Sequence, residues 1–293
     1  MNKVIIFGST EYENLETTNY GDCILIDTGV SLIIYDCGHE KHAERVIQYM
    51  DNHGYHSASI ILSHNDSDHF NGIPALLATG RISAVYTTLL LKYKEEICER
   101  IDDKRRNPDS VAKEILELYS NIASLSGEPI YDVYETPPKF GNEVTIVGPD
   151  LDYMLDVVAK HLDGREGNTV DQETAVNATS LQVSVNFSGN KLLLCGDCSY
   201  LAIEDKLLSY NGIQLPHHGK PKQAELIFKK NIDNSHAHTK YFISDNTGNS
   251  NGGSDNLNAR GFNVRNTKEE GDLTISTLTL NSSSSATRRT LGY

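Results

Sequence analysis

No stretch of the 293-residue chain approaches the roughly 18 consecutive apolar residues that a membrane span requires. Val4-Ile5-Ile6-Phe7 is too short for the apolar core of a secretion signal. Cysteine is scarce: Cys23, Cys37, Cys98, Cys195 and Cys198 are odd in number and scattered, which suits a reducing cytoplasm better than a disulfide framework. Positive charge is short as well. The 26 Lys and Arg against 40 Asp and Glu leave a net charge of −14, the opposite sign to a generic duplex-DNA binder. A phosphate-bearing substrate would therefore be drawn in by local cations or metal ions, not by the overall field. What is present is ordinary: 38% hydrophobic and 23% charged residues exclude whole-chain disorder and collagen-like repeats. The length suits one α/β domain with a sizeable core.

The chain opens on short apolar strands at 3–7, 22–27 and 31–37, with Gly29 and Ser31 in the turn between the last two. An amphipathic helix follows, with Ala43, Val46, Ile47 and Met50 on one face and Gly54 at its end. Ser59-Ile60-Ile61-Leu62 is a continuous apolar run and predicts a strand buried on both faces. A second stretch repeats the grammar: an alternating strand at 179–188, a turn at Gly189-Asn190, a strand ending in Gly196-Asp197, a short helix carrying Tyr200, Ile203 and Leu207, and a strand at Ile213-Gln214-Leu215 that runs into Pro216-His217-His218-Gly219. Strands near 262–266 and 272–280 follow a polar Gly/Asn loop at 246–258, and a frayed tail is expected over 282–293. Between the halves lies a helical insertion at about 89–128, with Pro108 suited to a first helical position. Strands alternating with helices in both halves predict a layered α/β fold.

The strongest chemical feature is His64-Asn65-Asp66-Ser67-Asp68-His69, placed just beyond a buried strand. Two imidazoles and two carboxylates this close repel or strain one another unless something positive sits among them, and together they are ligands for divalent metals. A solvated acidic loop, with Asp66 and Ser67 capping the next helix, is the plainer alternative. The same ligand types recur at strand ends as Asp197 and His217-His218, which favours metal.

These motifs resemble the metallo-β-lactamase superfamily. Ser63–His69, Asn177–Leu181, Leu194–Asp197 and Pro216–Gly219 are further similar to the hydrolase domain of bacterial DNA-uptake channel proteins, the ComEC-like branch, as are Tyr20-Gly21-Asp22 and Ile34-Tyr35-Asp36 at the start and Phe262–Leu273 at the end. The resemblance implies an αββα sandwich with a binuclear site in the cleft between the sheets. By carry-over, His64 and Asp66 would hold one ion, Asp68 and His69 the other, and Asp197 would bridge them. One of His217 and His218 would complete a shell, Asp36 would support the site, and Asn177 stands where many relatives place a further His. Lys220 departs from the branch, which usually has Ser there, and no His occurs in the 246–258 loop.

Two divalent ions about 3.5–4 Å apart can bring a shared water's pKa towards neutrality and clamp a phosphoryl oxygen. Asp68 is placed to orient or deprotonate that water. Asp in place of a second His tilts the expectation from Zn²⁺ towards Mn²⁺. The expected function is therefore hydrolysis of a phosphodiester, in nucleic acid or a small nucleotide. Hydrolysis of an ester, thioester or lactam at the same site is the alternative, because one fold hosts many reactions. A metal-stabilised binding module without turnover is a third reading.

Weaker candidates have bland counterparts. Lys220 and Lys222 could steer a phosphate or be an ordinary solvated pair, and Lys104-Arg105-Arg106 reads first as a solvated turn. Cys195 and Cys198 read as small core residues, not as a redox pair. His236 and His238 precede a strand at Lys240–Ser244 and fall at the end away from the ligands. His39, His42, His53 and His56 read as solvent-facing, with only His39 near the cleft. The helical insertion is either a capping layer or a lid or dimer surface, leaving room for a homodimer or a protein partner.

Overall fold

The structure is a computed structural model that describes residues 2–164, 169–236, 238–248 and 253–281; the tail at 282–293 lies outside them. Its strands are β1 (Lys3–Ile6), β2 (Cys23–Asp27), β3 (Leu32–Cys37), β4 (Ala58–Ile61), β5 (Ile82–Thr87), β6 (Ile130–Asp132), β7 (Val144–Gly148), β8 (Thr169–Val170), β9 (Glu173–Thr174), β10 (Gln182–Phe187), β11 (Asn190–Leu194), β12 (Gly212–Gln214), β13 (Lys240–Ile243), β14 (Asn263–Asn266) and β15 (Leu273–Ile275). A seven-stranded sheet runs β15-β1-β2-β3-β4-β5-β6, and a six-stranded sheet runs β14-β13-β12-β11-β10-β7. In each, an antiparallel hairpin feeds a parallel run: β2–β3 into β4, β5 and β6, and β10–β11 into β12, β13 and β14.

Side-chain alternation explains why the strands read as solid apolar runs. Ile24, Ile26, Ile33 and Tyr35 face the second sheet, where they meet Val183, Val185, Leu192 and Leu194. Their neighbours Leu25, Leu32 and Ile34 face outward onto the helix Glu40–His53 through Ala43, Val46 and Met50. On the far side, Leu193 and Ile213 meet Ala224, Ile227 and Phe228 of the helix Pro221–Asp233. β2, β3, β12 and β13 thus bury both faces, and the molecule is a four-layer α/β sandwich of helices, two sheets and helices.

The helices expected as an insertion form the crossover between the parallel strands β5 and β6: a 3₁₀ turn at Leu90–Tyr93, then Lys94–Arg100, Pro108–Leu118 and Ser120–Ser124. Pro108 holds the first position and Asn107 caps it, accepting from Ser110 N. Three expectations are corrected. The expected strand at 272–280 stops at Ile275, and Thr277–Asn281 is a helix that tucks Leu280 into the core. The short helix after Asp197 is two 3₁₀ turns, Tyr200–Ala202 and Leu207–Ser209. His42 is not solvent-facing: it has no exposed surface and lies against the rings of Phe7 and Tyr12. Among the described residues no helix is long and apolar enough to cross a membrane.

Candidate metal centre

The sequence-predicted residues gather at the carboxyl ends of the parallel strands, where α/β sheets commonly bind ligands. Asp36 follows Tyr35 in a bulge: Tyr35 pairs with Ile24 and Cys37 with Cys23, so Asp36 is the extra residue, at φ 61°. From there its Oδ1 accepts from Ser63 N at 2.6 Å, and its Oδ2 accepts from Ser63 Oγ at 2.7 Å and His69 Nδ1 at 2.8 Å. The Tyr20-Gly21-Asp22 turn grips the other end of the motif. Asp22 N donates to Asp68 O at 2.9 Å, and Gly38 approaches so closely that a Cβ on it would stand 1.9 Å from that oxygen.

Four imidazoles share one arrangement. Each has its Nδ1 beside an acceptor: Ser63 Oγ for His64 at 2.8 Å, Asp36 for His69, Glu173 Oε2 for His217 at 2.6 Å, and Asp22 Oδ1 and Ser244 O for His218 at 3.1 and 3.0 Å. Since each Nδ1–H is committed outward, each Nε2 is the inward donor atom. All four converge on the Asp197 carboxylate. His69 Nε2 is 3.3 Å from Oδ1, while the Nε2 atoms of His64, His217 and His218 are 4.0, 3.8 and 3.9 Å from Oδ2. Asp66 Oδ2 lies 3.6 Å from His64 Nε2, on the more open side. Asp68 Oδ2 lies 3.1 Å from His218 Nε2 and accepts from Asn19 Nδ2 at 2.8 Å.

Electrostatics show how tightly this cluster is balanced. Burial alone would lift the Asp197 pKa, but His69, His217 and His218 hold it well below the carboxylate range. Asp68 is likewise lowered, burial being outweighed by His218 and His69. Burial opposes charge on His69 and His218, yet Asp197, with Asp36 for the one and Asp22 for the other, raises both well above the ordinary imidazole value. A group of buried carboxylates demands positive charge among them. A direct test of fit lies in the orphaned atoms: His64 Nε2, His69 Nε2 and Asp197 Oδ1 are buried without a hydrogen-bond partner, and they face one another. Three overlapping sets could each hold a cation: His64, His69 and Asp197; Asp68, His69 and His218; and Asp22, Asp197 and His218. Imidazole nitrogen and carboxylate oxygen are the donors that divalent first-row metals take, so the residues fit the group.

Other expected residues fall around this centre. Asn177 is buried beside it, its Nδ2 3.3 Å from His217 Nδ1 and its Oδ1 accepting from Thr174 Oγ1. Lys220 Nζ lies 2.8 Å from Glu173 Oε1 and donates to Gln172 O, and Lys222 donates to Gln172 Oε1. Cys195 and Cys198 are buried in the outer core of the second sheet, and burial pushes the Cys198 thiol up. His236 and His238 line a cleft of about 430 Å³ with Tyr210 and Asn211, at the amino-terminal ends of β12 and β13. Sequence reasoning missed three residues that shape the centre: Glu173, Asp22 and Asn19. Asp22 had a signal, as a carboxylate abutting an apolar strand in a recognised motif; Glu173, on a two-residue strand, had none.

Residues 17–235 match the model of the metallo-β-lactamase superfamily. The chain belongs to that superfamily. By family it is a metal-dependent hydrolase. Its fold is similar to that of Tm1679, a metal-dependent hydrolase of the β-lactamase superfamily, at 12% identity and TM-score 0.50 over 94% of this chain and 100% of that one. A diphosphatase of the PhnP family aligns at 10% identity and TM-score 0.47, over 94% and 98% of the two chains. The hydrolase AbOPH aligns at 15% identity and TM-score 0.32 over 60% of this chain, which spans 55% of that protein. No curated protein sequence shows a significant match.

Proposed function

We propose that this chain is a binuclear phosphodiesterase, with His64, Asp66, Asp68, His69, Asp197 and the His217-His218 pair as ligands. The observation that carries the reading is the convergence of four Nε2 atoms on one buried carboxylate, each imidazole locked from behind. Two divalent cations, Mn²⁺ or Zn²⁺, would supply Lewis acidity towards a phosphoryl oxygen and a water acidic enough to ionise near neutral pH. The chain's own residues do the rest. Asp197, held ionised, presents Oδ1 to His69 and Oδ2 to His64, His217 and His218. Asp68 has one oxygen fixed by Asn19, so the carboxylate is positioned to orient the attacking water or take its proton. Asp66, with 43% of its side chain exposed, marks the side from which substrate enters. Lys220 and Lys222 stand by the His217 turn, where a phosphate's charge would compete for them.

The phosphodiester preference draws on the ComEC-like motifs and on Asp66 standing in place of a second His, which tilts the site towards hard, oxygen-preferring cations. The acidic surface favours a short substrate or one delivered by a partner protein. The unpaired cysteines suit the cytoplasm.

The test is turnover of bis(p-nitrophenyl) phosphate by protein loaded with Mn²⁺ or Zn²⁺. An aryl acetate and a chromogenic lactam serve as competitors. Asp68→Ala should lower phosphodiester turnover by at least 10²-fold and weaken cation binding. Acyl turnover without phosphodiester turnover would move the activity to the ester or lactam class. Bound cations with no turnover of any substrate would favour the binding-module reading.

A further inference from the structure

We infer that His217 and His218 both act as ligands, each for a different cation, and that Glu173 is the positioning residue that aims His217. This deepens the two-cation reading and rests on it. The two histidines are consecutive, and both adopt the left-handed region, at φ 52°. Such a conformation is uncommon for one residue other than glycine and rarer for two in a row. Its consequence is divergence: the ring planes stand 77° apart with centroids 5.9 Å apart, so neighbouring side chains enter the cluster from different sides.

Each ring is then seated separately. His218 is held by Asp22 and Ser244 of the buried interior, and its Nε2 meets Asp68, with the His69 ring 5.5 Å away. His217 is held by Glu173, and its Nε2 meets Asp197 Oδ2. That same oxygen faces His64 and His218, and His64 Nε2 also lies near Asp66. Donor atoms bonded to one cation at about 2.0–2.2 Å stand roughly 3–4 Å from one another. The separations of 3.6 Å for His64–Asp66, 4.0 Å for His64–Asp197 and 3.8 Å for His217–Asp197 all fall in that interval. His218 shares a compact donor set with Asp68 and His69, so His218 is assigned to that cation and His217 to the one held by His64, Asp66 and Asp197.

Glu173 is built for this task. It is 1% exposed and sits on the short β8–β9 hairpin after Asp171 and Gln172, both at positive φ. Its Oε1 faces Lys220 Nζ at 2.8 Å and accepts from Gln223 Nε2 at 3.2 Å, which leaves Oε2 for His217 Nδ1. A buried carboxylate whose one oxygen is tied by Lys and Gln, and whose other oxygen fixes a ring nitrogen, orients that ring and increases its donor strength. Asn177 and Thr174 back the same ring.

The experiment is cation stoichiometry and stepwise affinity, measured by elemental analysis and by titrating Mn²⁺ or Zn²⁺ into chelator-stripped protein. Wild type, His217→Asn, His218→Asn, Glu173→Gln and Glu173→Ala are compared; Asn accepts the left-handed backbone yet is too short to reach the cluster. Wild type should bind two cations per chain. His217→Asn should keep one step at wild-type affinity and weaken the other at least 100-fold, and His218→Asn should do the same to the complementary step. Glu173→Gln should weaken only the step lost in His217→Asn, by about 10–100-fold, and Glu173→Ala should weaken it further. Melting of the stripped proteins separates misfolding from lost ligation. Wild type that binds no cation sinks the two-cation reading itself. Two cations in wild type with both steps unchanged in His217→Asn overturn the inference alone, as do equal losses at both steps in a variant that melts like wild type.

Discussion

His42 offers a quantitative check on the packing beneath the site. The ring is fully buried on the helix Glu40–His53, between Phe7 and Tyr12, and neither nitrogen has a hydrogen-bond partner. Burial first, then the nearby charges of Arg45 and His39, take its pKa from 6.5 down to about 3. The folded protein therefore keeps this imidazole neutral at pH values where the unfolded chain protonates it. The unfolded state binds the extra proton, so stability is complete above pH 6.5, declines as pH falls below it, and levels off near pH 3. The slope approaches about 1.4 kcal/mol per pH unit. Between pH 7 and pH 5 this one residue should remove about 2 kcal/mol. His42→Phe keeps an aromatic ring against Phe7 and Tyr12 and abolishes the titration. Urea unfolding of both proteins at pH 7 and pH 5, in chelator so that cation binding does not contribute, isolates the effect. Wild type should lose about 2 kcal/mol more than the variant over that interval. Equal losses, within about 0.5 kcal/mol, would refute the claim that a neutral imidazole is buried there.

Other outcomes follow from the centre itself. Asp36→Asn removes the charge that fixes Ser63 and His69; metal-free stability should fall by about 2–3 kcal/mol in urea unfolding, with weakened cation binding. Gly38→Ala forces a Cβ against Asp68 O, and no side chain can yield because both partners are backbone. This variant should melt lower and lose cation affinity, whereas Gly54→Ala, where a Cβ meets nothing, should leave cation affinity unchanged. Cation at 100 times its dissociation constant should raise stability by about 2.7 kcal/mol, and an unchanged melting temperature on chelation would contradict a site that binds the folded state.

The sequence made the strand ends legible and the middle of the chain opaque, for physical reasons. Ser63–His69, Gly196-Asp197 and Pro216–Gly219 each set an abrupt polar cluster against an apolar run, and such a boundary marks where a buried strand surfaces. β5, β6, β7 and the helix Leu151–Leu162 end in no such cluster, so their presence was not signalled. His42 was misread although the information was there: it lies four residues before Val46, on the same helical face as the core. Distance along the chain hides Glu173 instead. Its partner His217 is 44 residues away, and a two-residue strand carries no periodicity.

The direction from which each carboxylate arrives links the site to the fold. Asp22 just before β2, Asp36 in β3 and Asp68 on the helical turn after β4 come from the side of the seven-stranded sheet, while Asp197 follows β11 of the six-stranded sheet and Glu173 comes from the hairpin before it. Between them stand histidines from both sheets, His64 and His69 from the first and His217 and His218 from the second. Like charges from two layers repel across the cleft, so the layers close at that edge only when positive charge is shared between them. In the metal-free protein the raised pKa values of His69 and His218 provide it as protons. Under the proposed reading, divalent cations replace those protons, so the groups that make the chemistry possible also fasten one sheet to the other. Removing the cations should then loosen the edge near Asp197 before the apolar core between the sheets, an order that amide exchange along β4 and β11 can resolve.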